Sequence, residues 1–438
     1  MRGGLGVKLV FTLEAAVAGV YVSLTKGLFT IFLVSVGMDA SGVSLVMLLS
    51  SLLAIVVGFL LYVRPGFMVR RVKLKLLIFH ASERFVWIFL PLFRGRLIIS
   101  ILFSVYMVLS LLISMFISLA IYGSSDEATI RDIVAMRSVA GGASSTIGFA
   151  LGAFLLAFLP KSGKFFYIFT LGSAIGLIST IIIGFAELKH LERVEIPEAI
   201  EAPEKIYTAS LFIISLLFSF NTLGIFWIPY LMHELKGSDF LAALINLMGT
   251  ISSMVASMVW KGKGLRAFRL ALLLNALTPL MIWLVPLPHV HPTISIYASF
   301  AYTGANFLGA LLFASYNRWF GAVKSSVLLI LLANLSQLLS GLMGLSVQGQ
   351  YSTAFLTAFM VGLLSTLIAI TTIPEVAVVP EETANQYSRI IYMNTLLGYR
   401  LAIEASRKTV LLTLRIMALF AVLILLYIVY RVLWLLAG

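Results

Sequence analysis

Long apolar runs separated by short polar segments fill most of this chain. In the first half, runs long enough to cross a bilayer begin near Val7, Ser41, Leu76, Leu97, Ser138 and Phe165. In the second half they begin near Tyr207, Phe240, Leu265, Thr293, Ser325 and Ser352. Each run has roughly 18 to 30 residues, which at about 1.5 Å per residue spans a hydrocarbon core of about 30 Å. The pattern predicts an all-α membrane protein with two sets of six spans.

The polar segments between the runs predict the domain organisation. We expect a six-helix bundle over residues 1–186, an acidic, proline-broken linker over 187–206, a second bundle over 207–373 and an extension over 374–438. The extension combines an amphipathic segment with an apolar stretch, residues 409–436, that could form a thirteenth span. The first apolar run lacks a small-residue cleavage site, which favours a retained span over a cleaved signal peptide.

Composition and charge narrow the class of protein. The chain is 61% hydrophobic and 11% charged, a balance that excludes a water-soluble domain. Its net charge of +13 comes mainly from loops between spans, so membrane orientation explains it better than nucleic-acid binding. The even-numbered loops hold 16 Lys and Arg, and the odd-numbered loops hold five. We therefore predict a multi-pass protein of the plasma membrane with a cytoplasmic amino terminus.

Motifs typical of metal sites, nucleotide binding and catalysis are missing from the sequence. Cysteine is absent, which excludes disulfides and thiolate metal sites. His289 and His291 lie close together in a proline-bracketed loop, and without a third ligand we expect them to be solvated rather than metal-bound. No phosphate loop or catalytic triad is recognisable. We predict that the protein is not an enzyme and uses neither a cofactor nor a metal.

A basic loop follows the second span and has a counterpart in the second half. Residues 64–75 read RPGFMVRRVKLK, and 196 positions further on Gly262, Arg266 and Arg269 stand in for Gly66, Arg70 and Lys73. Six plus six spans, a central linker and basic loops after spans two and eight resemble the major facilitator superfamily of secondary transporters. The resemblance covers about residues 7 to 373.

The family signature in that loop is matched in part. It reads G, three residues, D, then R or K, any residue, G, R, and R or K. Gly66, Arg71 and Lys75 match it in register, whereas Arg70 replaces the acid and Lys73 the second glycine. The resemblance implies a gating loop here, with its usual acid-based contact altered.

Charged side chains inside the spans need an explanation, because each costs at least about 3 kcal/mol in lipid. Glu14 and Lys26 lie in the first span, and His80, Glu83 and Arg84 lie in the third. Resemblance to the family places the first, fourth, seventh and tenth spans around the substrate path, so Lys26 could bind an anionic group or form a structural pair. Glu14, Glu83 and Arg84 could carry a coupling proton or form a buried ion pair.

Neutral polar residues recur at helical spacing on several spans. With Lys26, the twelve expected cavity residues, ordered by span, are Tyr21, Thr25 and Lys26; Tyr106 and Ser110; Ser219 and Thr222; Asn246 and Thr250; and Ser299, Tyr302 and Asn306. Each stripe could line a cavity or could bond neighbouring helices, as single hydroxyls in membrane helices commonly do. We favour lining, because the family resemblance makes most of these helices central.

These features predict a secondary transporter that moves a small anionic or amphipathic organic solute by alternating access, with proton coupling. Its expected partners are the lipid bilayer and a small-molecule substrate. The alternative is a membrane scaffold of the same fold that docks a protein partner through residues 374–438. A lipid flippase is a third possibility.

Overall fold

Helices account for nearly all of the backbone that the structure describes. The computed structural model describes residues 3–122, 127–160, 163–188, 191, 205–395 and 397. In the first half the α-helices are α1 Gly3–Leu24, α2 Phe29–Ser35, α3 Ala40–Val63, α4 Val72–Phe89, α5 Arg96–Tyr122, α6 Glu127–Phe158 and α7 Lys164–Gly184. In the second half they are α8 Lys205–Pro229, α9 Asp239–Lys261, α10 Phe268–Leu284, α11 His291–Ser346 and α12 Tyr351–Thr372.

Short polar residues start the second span of each half. Asp39 caps α3 by accepting a hydrogen bond from the Gly42 amide at 2.9 Å. Ser238 caps α9 by accepting one from the Leu241 amide at 3.2 Å. Such caps satisfy backbone donors that have no partner within the helix. The two caps lie at equivalent positions of the two halves.

Ten helices in the described ranges are long and apolar enough to cross a membrane. Two segments predicted as spans are not among the ten: α4 and the first part of α11. Both are rich in polar side chains, since α4 carries Glu83 and Arg84 and the start of α11 carries Ser295 and Ser299. Polarity lowers their hydropathy without shortening their helices.

The 56-residue helix α11 folds back on itself. As a straight rod it would extend about 84 Å at 1.5 Å per residue. However, Gly309 and Ser336 both lie at the level of the same turn of α8, where Gly309 packs against Ile213 and Ser336 donates to the Ile214 carbonyl at 3.1 Å. The axis therefore reverses within residues 313–326. The two arms, which we call α11a (His291–Leu312) and α11b (Val327–Ser346), occupy the places of the tenth and eleventh predicted spans.

The helices of the two halves pack in the same pattern. In the first half α1 packs on α6 and α7, α5 on α3 and α4, and α4 on α7. In the second half α8 packs on α11b and α12, α11a on α9 and α10, and α10 on α12. When each helix of the first half is replaced by its counterpart in the second half, the first set of helix contacts becomes the second set. A duplicated six-helix unit produces this correspondence.

The two bundles meet along two seams and at one end. Helix α3 runs along α11b, where Gly344 packs on Ser44 and Gly341 on Leu48, and α6 runs along α9. The absence of a side chain on such glycines lets helix backbones approach closely in lipid. At the end opposite the amino terminus, α2 packs against α8 and α9, and Lys164 forms an ion pair with Asp239.

The start of the predicted extension is docked on the second bundle. Arg269 donates to the backbone carbonyls of Val376, at 2.7 Å, and Ala377. Residues 381–395 form a further helix whose Ser388 hydroxyl lies 2.8 Å from that of Thr208 on α8. The predicted thirteenth span, residues 409–436, and most of the predicted linker, 187–206, lie outside the described residues.

Candidate functional site

The first span is interrupted near its middle. Helix α1 ends at Leu24, a single 3₁₀ turn follows at Lys26–Leu28, and α2 resumes at Phe29. Thr25 has φ −109° and ψ −89°, which is outside the helical region. At membrane depth, non-helical backbone is tolerated where protein buries it or where it borders a polar cavity. Here the carbonyl of Gly27 accepts a hydrogen bond of 2.9 Å from the Asn246 amide of α9.

A cavity of about 370 Å³ lies between this interruption and the second bundle. Gly27, Thr30 and Phe149 form its wall on the first bundle, and α8, α9, α10 and α11a form the rest. This volume is in the range typical of small-molecule sites. Its polar side chains are Thr30, Trp227, Asn246, Thr250, Ser253, Asn275, Thr278, Ser295, Ser299, Tyr302 and Thr303.

The lining residues are all neutral, and many of their polar groups are already paired. The Ser253 and Thr303 hydroxyls lie 2.8 Å apart, and Ser295 donates to the Ile245 carbonyl at 2.7 Å. Thr250 bonds the backbone of its own helix at Asn246. The wall can therefore offer a solute a limited set of hydrogen bonds on a largely preformed surface.

Aromatic rings form the apolar part of the wall. The rings of Phe220 and Tyr302 are stacked, with centroids 3.8 Å apart and planes 14° from parallel. The Trp227 indole N–H donates to His291 Nδ1 at 2.8 Å, and His291 Nε2 lies 3.0 Å from the Val285 carbonyl. These contacts assign the proton of a neutral His291 to Nε2. His291 is fully buried, so the expectation that it would be solvated was wrong.

A network of charged side chains occupies the interior of the first bundle. Glu14 of α1 accepts a hydrogen bond of 2.6 Å from Arg137 of α6, and His80 of α4 lies 3.6 Å from the same carboxylate. Glu83 and Arg84 of α4 form an ion pair, and Arg84 Nη2 lies 2.8 Å from His80 Nε2. Burial makes such charges costly unless they are paired, and here each carboxylate has a cationic partner.

Helix α7 and the Tyr21 ring enclose this network. Ser179 accepts from Arg84 Nη2 at 3.4 Å, and the Thr180 hydroxyl lies 2.7 Å from His80 Nδ1. The guanidinium carbon of Arg84 lies 4.5 Å from the centroid of the Tyr21 ring, within cation–π range. Glu83 and Arg84 thus form a buried ion pair, and a role of these residues in proton coupling stays a prediction.

Lys26 is exposed, unlike the buried network. Helix α1 packs on α6 and α7, and its Glu14 and Tyr21 face α4, so Lys26 lies on the side of the helix that these contacts leave open. Val22, one turn before Lys26 on that side, is exposed as well. Among the described residues no carboxylate lies within ion-pair distance of Lys26 Nζ, although Glu83 is close enough to interact electrostatically. Lys26 therefore forms no ion pair with any residue that the structure describes, and it lies next to Gly27 of the cavity wall.

Four of the twelve expected cavity residues line the cavity: Asn246, Thr250, Ser299 and Tyr302. Ser219 instead donates to the Ala358 carbonyl of α12, and Thr222 to the Ser340 hydroxyl of α11b. These two stripe positions of α8 therefore face neighbouring helices. In the first bundle Lys26 lies beside the cavity wall, and the expected positions Tyr21, Thr25, Tyr106 and Ser110 lie outside it.

Local packing accounts for those positions. Thr25 bonds its own helix at the Tyr21 carbonyl, and the Tyr106 ring packs edge-on against Trp87. Ser110 is half-buried outside the wall, and Asn306 is exposed one turn beyond Tyr302. Sequence reasoning missed Thr30, Trp227, Asn275, Thr278 and Thr303, since none belongs to a stripe that it selected.

The basic loop after α3 closes on itself. Lys75 Nζ donates to the Phe67 carbonyl at 2.6 Å and lies 3.6 Å from the centroid of the Phe67 ring. Arg71 has φ 49°, a left-handed conformation that starts α4, whereas Gly66 and Arg70 are exposed. The gating role of this loop stays a prediction.

The chain thus forms two pseudo-symmetric helix bundles with a polar cavity between them. Comparison with known proteins gives no match to a family model and none to a curated protein sequence. Solved structures do match, and the chain covers 98% of each one cited below.

The nucleoside transporter NupG aligns over 84% of this chain, with 12% identity and a TM-score of 0.58. The human organic anion transporter MFSD10 aligns over 84%, with 16% identity and a TM-score of 0.57. A bacterial homologue of the iron transporter ferroportin, in an inward-facing state, aligns over 83%, with 13% identity and a TM-score of 0.62. The major facilitator fold predicted from the sequence is thereby confirmed.

Proposed function

We propose that this protein is a secondary transporter that carries a small organic solute by alternating access. The cavity between the bundles is the observation that carries the proposal, because a solute held there touches both units that must move. A scaffold without transport activity would not need a polar cavity between its two bundles. The cavity therefore favours a transporter over the alternative role as a docking subunit.

The substrate we propose is amphipathic and carries an anionic group. The stacked rings of Phe220 and Tyr302 offer apolar surface, and the hydroxyls and amides of the wall offer hydrogen bonds. Lys26 supplies a cation that no described carboxylate neutralises. A charge-assisted contact to an anion is worth about 1.5–3 kcal/mol, or roughly ten- to a hundredfold in affinity.

We further propose that the buried network of Glu14, His80, Glu83 and Arg84 exchanges the coupling proton. Its support is the concentration of titratable groups in the first bundle, within electrostatic range of Lys26. A proton taken up by Glu83 would change the field at Lys26, next to the cavity. The proposed orientation has the amino terminus in the cytoplasm and the protein in the plasma membrane.

Uptake into proteoliposomes tests this function. Anionic ring compounds that raise the melting temperature of the purified protein would be offered as radiolabelled substrates, with and without an imposed pH gradient. We expect accumulation that depends on the gradient, and a tenfold or greater loss of apparent affinity in Lys26→Met. Lys263→Met, in the loop after α9, is the matched control and should behave as wild type. The proposal would be refuted if uptake were the same with and without the pH gradient and the same in wild type and in Lys26→Met.

A further inference from the structure

Asn275 of α10 differs from the other polar residues of the cavity. Asn275 as a whole residue is 7% exposed and lines the cavity, yet its side chain forms no hydrogen bond to any residue that the structure describes. Buried amides are almost always hydrogen-bonded, because burying a polar group without a partner is unfavourable. Asn275 is thus largely buried in the protein, and the donor and acceptor of its amide are available to an occupant of the cavity.

Two other asparagines serve as a comparison. Asn246 donates to the Gly27 carbonyl at 2.9 Å, and buried Asn334 of α11b donates to the Ile330 carbonyl at 2.9 Å. Thr278, one turn from Asn275 on the same cavity wall, has its hydroxyl within 3.4 Å of the Leu274 carbonyl. Only the Asn275 amide, among these groups, keeps both its donor and its acceptor free.

The aromatic part of the wall restricts the shape of the occupant. Phe220 and Tyr302 form a flat stacked pair. Trp227 also lines the cavity, but its N–H is held by His291, so the indole offers ring surface rather than a donor. Flat ring surfaces beside a free amide favour a planar ring, because aromatic groups stack on one another with ring centroids 4.5–7 Å apart in typical pairs.

We infer that the cavity recognises a planar ring whose edge carries a hydrogen-bond donor next to an acceptor, as in a lactam, an imide or a carboxamide. Asn275 pairs with that edge through both of its amide atoms, the geometry with which asparagine pairs with the edge of adenine. The inference rests on the proposed transport function and names the chemistry of its neutral subsite. Lys26 then binds the anionic group of the solute, and Asn275 binds the edge of its ring.

Three ring compounds separate the two contacts. Orotate has an imide edge and a carboxylate, uracil has the edge alone, and benzoate has the carboxylate alone. Affinities would be measured on the purified full-length protein by titration with each radiolabelled compound. We expect orotate to bind at least tenfold tighter than benzoate, and Asn275→Leu to weaken orotate and uracil at least tenfold while leaving benzoate unchanged.

A variant outside the cavity controls for altered folding. Asn334→Leu removes a buried amide from the same bundle and should leave all three affinities unchanged. If Asn275→Leu changes none of the affinities, the amide holds water only and the inference is overturned. It is equally overturned if neither uracil nor orotate binds at millimolar concentration. A failure of transport with the Asn275 effect intact would refute the proposed function instead.

Discussion

The buried contact between Glu14 and Arg137 should dominate the stability of the first bundle. Arg137 Nη1 donates to Glu14 at 2.6 Å and also to the Phe11 carbonyl at 2.8 Å, which joins α6 to α1 twice. The side chain of Glu14 is 3% exposed. In Arg137→Met the apolar stem remains while the charge and both hydrogen bonds are removed. Glu14 then keeps His80, at 3.6 Å, as its nearest partner.

The expected cost follows from that burial. Removing one partner of a buried ion pair typically costs about 3–5 kcal/mol, because the other charge stays uncompensated. Arg137 is itself 21% exposed, and His80 can compensate in part, so we expect about 3 kcal/mol, the lower end of that range. The pair Lys8–Asp132 also joins α1 to α6 but is 29% and 69% exposed, so Asp132→Asn should cost about 1 kcal/mol or less.

Unfolding in mixed micelles with increasing SDS measures these differences in free energy. The double variant Glu14→Gln, Arg137→Met should recover most of the loss, because no charge is left unpaired. If Arg137→Met is no more destabilising than Asp132→Asn, or if the double variant is no better than the single one, the network does not hold the bundle together.

Two further predictions use features that the chain itself provides. A Cβ at Gly148 of α6 would lie 2.9 Å from the Val20 backbone, whereas one at Gly142 would have no neighbour within 4 Å. Gly148→Ala should therefore destabilise by about 1–3 kcal/mol, and Gly142→Ala should be neutral or stabilise by up to about 1 kcal/mol, measured by the same SDS titration. Because cysteine is absent, Lys263→Cys and His289→Cys give single labelling sites. An impermeant thiol reagent should reach them from opposite sides of the membrane, and labelling from one side would contradict the predicted topology.

The arrangement of spans was accessible from the sequence because lipid imposes it. A helix in the bilayer must bond its own backbone and must have a minimum length, and both requirements leave a visible pattern of runs and loops. The pattern located even α4 and α11a, which are too polar to pass a hydropathy test. It placed the fifth span too late, however, since α6 begins at Glu127 and includes Arg137. The partner of Glu14 was therefore taken for a loop residue.

The cavity was less accessible because spacing alone does not reveal what a helix face meets. Ser219 and Ser299 belong to stripes of the same kind, yet Ser219 faces α12 and Ser299 faces the cavity. Asn275 stands alone in an apolar stretch of α10, so no periodicity could select it. Its helix corresponds to the ninth span, which the family resemblance placed at the periphery. Only the packing of the second bundle brings Asn275 to the cavity wall.

Polar chemistry is divided between the bundles, and the interruption of the first span is where the two parts meet. The charged network lies in the first bundle, and most of the neutral cavity wall lies in the second. Within one turn, Lys26 lies in electrostatic range of Glu83, and the Gly27 carbonyl accepts a hydrogen bond from Asn246. In the proposed cycle, protonation of the network and occupation of the cavity therefore act on the same short segment. Because such coupling is reciprocal, a solute that alters this turn must also alter the proton affinity of the network by an equal free energy.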